Sequence, residues 1–160
     1  LNSEGIKMKQ SSRRQARETA FCLIFEWSFH KQDLESMLKN AMDGRGLEPD
    51  PFARELVEKT INEVDKWDAL IEQYSETWRV SRLSRVTLAV LRLGLCEITR
   101  MEDIPLGATI NEAVELCKKF ATEEEAAYVN GILGRYGRDL GADEKKQDTA
   151  SRPMTSLEQE

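Results

Sequence analysis

Ser84-Arg-Val-Thr-Leu-Ala-Val-Leu-Arg-Leu-Gly-Leu-Cys-Glu-Ile-Thr99 carries apolar side chains in nearly every direction once it is coiled as a helix. Val86, Leu88, Ala89, Val90, Leu91, Leu93, Leu95, Cys96 and Ile98 leave little of its circumference polar. Such a helix needs neighbours on all sides, so it belongs in the middle of a bundle. On both flanks, between residues 12 and 138, apolar residues recur at helical spacing, and no run alternates with period two. The expected fold is therefore all-α, a compact bundle of six or seven helices without internal repeats.

Local signals place the other helices. Ser12 reads as the N-cap of a first helix with Ala16, Ala20, Leu23, Ile24 and Trp27 on one stripe. A short helix from about Asp33 to Met42 turns Leu34, Met37, Leu38 and Ala41 inward, and Asp43-Gly-Arg-Gly-Leu-Glu-Pro49 reads as a loop. Asp50 caps the next helix, with Pro51 at its first position, where a missing N–H costs nothing. Its stripe runs through Phe52, Leu56, Val57, Thr60, Ile61 and Val64. A break is expected near Asp65, before a segment carrying Trp67, Leu70, Ile71 and Tyr74. Thr109 with Glu112 and Thr122 with Glu125 have the spacing of capping boxes. Residues 1–10 read as a flexible basic tail, 11–140 as the helical domain, and 141–160 as a polar, disordered extension.

The chain has 160 residues, room for one ordinary domain, and a net charge of −6. Cys22, Cys96 and Cys117 are odd in number and widely spaced, and His30 is the only histidine. Neither a disulfide framework nor a metal site is expected, and a reducing cytoplasm is the default location. No apolar run approaches the ~20 residues that span a bilayer. A Gly-rich phosphate loop and a nucleophile elbow are both absent, and His30 has no evident acid or nucleophile beside it, so no catalytic residue and no cofactor are expected.

The charge is unevenly spread. Residues 1–17 carry Lys7, Lys9, Arg13, Arg14 and Arg17 against Glu4, a net of +4, while residues 18–140 carry −8 and the remainder −2. Cations at a helix start are disfavoured by ~0.3–1 kcal/mol each. A phosphate docked there would reverse that sign. The alternative is a solvated face with Arg14 and Glu18 paired at i,i+4, and the charge pattern leaves both open. A second Arg-rich stretch includes Arg79, Arg82, Arg85, Arg92 and Arg100. Arg92 lies between Leu91 and Leu93 and needs a carboxylate partner such as Glu97 or Glu112. Tyr128 shares helical spacing with Ala121 and Ile132 and reads, on spacing alone, as a core residue.

Four motifs stand in register: Arg13-Arg14-Gln-Ala-Arg17-Glu18-Thr-Ala-Phe21; Trp78-Arg-Val-Ser-Arg82 leading to Leu91-Arg92-Leu-Gly-Leu-Cys-Glu97-Ile98; Ile104-Pro105 leading to Ile110-Asn111-Glu112-Ala113; and Tyr128-Val-Asn130-Gly131. In this order they resemble the NusB family of bacterial transcription antitermination factors, over roughly residues 11–138. The resemblance implies two helical subdomains without catalytic activity. It also implies binding to the boxA element of ribosomal RNA leader transcripts together with the ribosomal protein NusE. NusA, NusG and RNA polymerase would complete the antitermination complex.

The resemblance carries Arg13, Arg14 and Arg17 to the RNA, with Lys7, Lys9 and Lys118 as supporting cations. Tyr128 becomes a base-stacking residue and Glu124 an acidic neighbour of the RNA. Arg82, Arg85 and Thr87 fall on the side of the protein partner. Arg92, Glu97, Asn111, Glu112 and Asn130 are expected to be structural, the last three of the motif positions through caps and side-chain to backbone bonds. Two positions depart from the pattern. Gln15 interrupts the basic run, and Thr87 stands where the family usually has an acidic residue. Two other readings remain open: the RNA-binding domain of a ribosomal RNA methyltransferase, and a structural homodimer that hides its Arg cluster.

Overall fold

The computed structural model describes the backbone of residues 2–46 and 50–151, and the side chains of 13–44, 46, 50–141 and 143. Among these are seven helices: α1 (Asn2–His30), α2 (Leu34–Arg45), α3 (Pro51–Asn62), α4 (Val64–Tyr74), α5 (Arg85–Arg100), α6 (Leu106–Phe120) and α7 (Glu123–Ser151). A single 3-10 turn, Val80–Arg82, leads into α5. No strand occurs among the described residues.

The all-round apolar segment is α5, and it occupies the centre. It packs against α1, α3, α4, α6 and α7. Helices α1 and α3 pair with each other on one side, and α6 pairs with α7 on the other, so α5 joins two helical groups. Val90, Leu91, Leu95 and Cys96 are fully buried there with Leu23, Ile24, Leu56, Trp67 and Leu133. The α5–α7 crossing is close at Gly94, where an added Cβ would stand 2.8 Å from Leu133 Cδ1. Leu133 is itself fully buried and cannot swing away, so only a residue without a side chain lets the two backbones approach.

Two of the expected caps form. Asp50 accepts from the Ala53 N–H at 2.8 Å with Pro51 at the first position of α3. Thr122 accepts from the Glu125 N–H at 3.1 Å. Asp33, read only as the start of a short helix, caps α2 as well, accepting from the Ser36 N–H at 2.8 Å. Helix α2 runs to Arg45, three residues into the expected loop, and stops at Gly46, whose φ of 61° is open to glycine at little cost. The break between α3 and α4 falls at Glu63 rather than near Asp65.

Three expectations need correction. Helix α1 starts at Asn2, so Ser12 lies inside it and not at its N-terminus. Extending an existing helix fixes one residue per hydrogen bond, far easier than nucleating one, and the polar stretch before Ser12 needs no apolar stripe of its own. Helix α7 likewise continues through residues 141–151, and residues 152–160 lie outside the described residues. Thr109 is not an N-cap: α6 begins at Leu106 after Pro105, and Thr109 is buried one turn in.

Candidate nucleic-acid interface

With α1 beginning at Asn2, Arg13, Arg14 and Arg17 sit in mid-helix, and the argument from the helix N-terminus lapses. Their three environments differ. Arg17 faces the core and is only 7% exposed. Its Nε lies 3.0 and 3.2 Å from the two carboxylate oxygens of Glu97, and its Nη2 donates to Oε1 at 2.7 Å. Thr109 Oγ1 donates to the same Glu97 oxygen at 2.9 Å. One buried carboxylate thus ties α1, α5 and α6 together.

Arg14, one position round the helix, has a side chain 66% exposed. It forks onto Glu112 of α6, Nε to Oε2 at 3.2 Å and Nη2 to Oε1 at 3.0 Å. It does not pair with Glu18, which instead accepts from Lys119 Nζ at 2.8 Å. Arg13 is exposed, its guanidinium carbon 4.4 Å above the Phe52 ring of α3. The anchored Arg17 therefore presents Arg13 and Arg14 outward, and is itself removed from the set of surface contacts. The side chains of Lys7 and Lys9 lie outside the described residues. Lys118 is exposed, 3.8 Å from Glu115.

A second surface forms where α7 meets the segment between α4 and α5. Tyr128 is half-buried, its hydroxyl donating to Ser75 Oγ at 2.6 Å. Its ring centroid is 4.9 Å from that of Trp78, tilted by 49°. Glu124, one turn earlier on α7, is exposed. Tyr128 is thus neither a fully buried core residue nor a free platform: it packs against the core while staying partly exposed, oriented by Ser75 and Trp78.

Several expected roles move. Arg92 pairs with Asp68 of α4 through two 2.8 Å bonds, not with Glu97 or Glu112. Five residues at about 100° each put Glu97 some 140° around the helix from Arg92, so one partner could not serve both. Thr87 is fully buried and donates to Glu125 Oε1 at 3.0 Å, so it cannot touch a partner protein. Arg82 and Arg85 are exposed as expected. Asn111 and Asn130 cap nothing. Both are exposed, without a side-chain hydrogen bond among the described residues, on a groove of about 480 Å³ between α6 and α7 floored by Ile110 and Val114. Glu112 is structural through Arg14 rather than through a cap.

An aromatic ladder was legible as an i,i+4,i+8 spacing but carried no weight in the sequence reading. Phe21, Phe25 and Phe29 of α1 run in steps of 6.1 and 5.0 Å, and Phe120 of α6 stacks on Phe21 at 5.1 Å. Phe29 and Phe120 are 49% and 40% exposed. Arg85 lies 4.2 Å over the Phe29 ring and donates to the Ser28 carbonyl at 3.1 Å. Phe21 is buried and Phe25 partly so, and the two exposed rings, with a guanidinium over Phe29, have the composition of a protein-docking surface.

Glu125 links the N-termini of α5 and α7. It accepts from Ser84 Oγ at 2.6 Å, Thr122 Oγ1 at 3.0 Å and Thr87 Oγ1. The Ser84 bond, with the Thr122 and Thr87 bonds, holds its carboxyl below the ordinary 4.5 against the opposing effect of burial. A carboxyl depressed in the folded state stabilises fully above its unfolded value, and that contribution is lost as pH falls through the folded one. The stability gap between the parent protein and Glu125→Gln is therefore expected to shrink as pH drops below about 4.5. Urea melts at pH 7 and pH 3 measure it, and a gap that widens in acid would contradict the assignment.

Among the described residues no group of three or more His, Cys, Asp or Glu could hold a metal, and no helix is long and apolar enough to cross a membrane. Burial pushes the thiol of Cys96 up to about 11 and that of Cys117 to about 12, so both stay protonated and inert at neutral pH.

Fold and surface together define an all-helical protein that carries an exposed arginine pair, a tyrosine–tryptophan pair and two exposed phenylalanines. The NusB family profile matches residues 14–138, and the chain belongs to that family. It is 38% identical over 134 residues to the transcription antitermination protein NusB of Natranaerobius thermophilus, covering 81% of this chain and 96% of the relative. The NusB of Myxococcus xanthus is 41% identical over 129 residues, covering 79% and 92%. A crystal structure of antitermination factors NusB and NusE in complex with double-stranded RNA superposes with a TM-score of 0.72 at 25% identity, covering 81% of this chain and 98% of that one.

Proposed function

We propose that this protein is an antitermination factor of the cytoplasm that binds boxA-type RNA of ribosomal RNA leader transcripts jointly with a NusE-type ribosomal protein, without a catalytic step. The observation that carries the reading is the outward pair Arg13 and Arg14, held by the buried Arg17–Glu97 bond. Guanidinium groups contact phosphates and set register; base edges and stacking supply sequence choice. Tyr128 and Glu124 lie on α7 and Lys118 on the end of α6, and these take the RNA onward. The exposed rings of Phe29, edged by Arg85, and Phe120, backed by Phe25 and the buried Phe21, take the protein partner. Two modest affinities then combine through effective concentration. The negative remainder of the chain disfavours unspecific RNA.

The relatives named as antitermination proteins, and the structural neighbour holding NusE and RNA, support this reading. It is tested by titrating the full chain with a boxA-type RNA and a scrambled RNA of equal length, with and without the ribosomal protein. Preference for boxA, tightened about tenfold or more by the partner, is expected. Equal affinity for both RNAs would sink it.

A further inference from the structure

Arg85 is the first residue of α5, where the helix dipole disfavours a cation, and the first turn of α5 holds no acid. The helix itself therefore gives no reason for an arginine there. The side chain is nonetheless fixed. Its Nη1 donates to the Ser28 carbonyl at 3.1 Å, and its guanidinium carbon lies 4.2 Å over the Phe29 ring. That bond uses one of the five N–H donors of an arginine. Arg85 is exposed and in no ion pair among the described residues.

The acids around it are committed elsewhere. Glu18 is held by Lys119 at 2.8 Å, Asp33 caps α2, and the half-buried Glu26 is engaged as well. Glu72 accepts from the Val80 N–H, and Glu76 pairs with Arg135. Glu125 accepts from Ser84, Thr87 and Thr122, and with the exposed Glu123 and Glu124 it lies on α7, the side to which Thr87 points. Two residues of helix put Arg85 about 200° round from Thr87, which sends its guanidinium the other way, onto the end of α1. The exposed His30 and Lys31 close that end, so the charge around Arg85 is positive.

The apolar half of the surface is Phe29, 49% exposed. One face of its ring is covered by the guanidinium and Phe25 meets it at 77°, which suits an aliphatic chain along the rim better than a stacked base. Apolar contact beside an uncommitted guanidinium matches a protein segment that pairs a carboxylate with an apolar side chain.

We infer that Arg85 selects the protein partner by charge: it receives an aspartate or glutamate of the NusE-type protein, and a neighbouring apolar side chain of that protein packs on Phe29. This rests on the partner reading above and adds the chemistry of the contact. Since the guanidinium is already held by Ser28 and Phe29, little side-chain entropy is lost on docking.

The test titrates the full chain with the ribosomal protein. Arg85→Gln is expected to weaken binding about tenfold and Arg85→Glu about a hundredfold, with Arg85→Lys between the parent and Arg85→Gln because it keeps the charge and loses the fork. Each aspartate and glutamate of the ribosomal protein is then changed in turn to its amide. One change should weaken binding to the parent about tenfold and leave binding to Arg85→Gln unaltered, and a lysine at that position should restore binding to Arg85→Glu. Affinity for boxA-type RNA alone should stay the same in every Arg85 variant. Equal binding of the ribosomal protein by the parent and Arg85→Glu would overturn the inference, as would a loss shared equally by all acidic positions or confined to RNA; in each case the partner reading stands. If the parent does not bind the ribosomal protein at all, both fail.

Discussion

Glu97→Ala is expected to destabilise the protein by about 3–5 kcal/mol, the cost of leaving a buried charge without its partner. The truncation strands the Arg17 guanidinium, which is 7% exposed, and removes the acceptor of Thr109 Oγ1. Among the described residues no other carboxylate contacts Arg17, so none there can replace Glu97. The double variant Arg17→Met/Glu97→Leu is expected to recover most of that loss, because two apolar side chains of similar volume leave no ion unpaired. Urea denaturation read by circular dichroism measures both. A midpoint in Glu97→Ala equal to that of the parent would show that water reaches Arg17. The double variant carries a second message. If it folds stably yet binds RNA more weakly, the buried pair sets the orientation of α1 as well as its stability.

Arg13→Ala/Arg14→Ala is expected to lower affinity for boxA-type RNA by about tenfold to a hundredfold with little change in melting temperature. Each charge-assisted contact contributes roughly 1.5–3 kcal/mol before solvent screening. The sharper signature is the salt dependence. Each phosphate contact on a single strand contributes about 0.7 to the slope of log affinity against log salt, so losing two should flatten it by about 1.4. Stability should hold because Arg14 is mostly exposed and its bond to Glu112 is a surface pair, weakened by solvent screening. An unchanged slope would exclude both residues from the phosphate path. Arg17→Ala is the necessary contrast, since it should lose stability first and RNA only as a consequence.

The two experiments separate residues that look alike in sequence. Arg13, Arg14 and Arg17 are one basic run, and the family resemblance carries all three to the RNA without distinguishing them. Four residues of helix separate Arg13 from Arg17, which brings them to neighbouring directions, and both approach Phe52 at 4.4 and 5.7 Å. What divides them is Glu97, 80 residues away, under Arg17 and not under Arg13.

Tyr128 shows the same division. Its helical spacing with Ala121 and Ile132 described a core residue, and the family resemblance described a stacking one. The structure gives each a part of the ring, with Ser75 and Trp78 arriving from a different segment to hold it.

The sequence by itself determined the helical class, the central place of α5, and the caps at Asp50 and Thr122. Each of these depends on residues within one or two turns of each other, where 3.6 residues per turn fixes the geometry. Only the tertiary structure decided which charge meets which: Arg17 with Glu97, Arg14 with Glu112, Arg92 with Asp68. It also decided that Thr87 faces inward to Glu125 and that Asn111 and Asn130 face out. Charge complementarity has no period along a chain. A carboxylate anywhere in the sequence can satisfy a guanidinium, and the choice is made only when the helices cross.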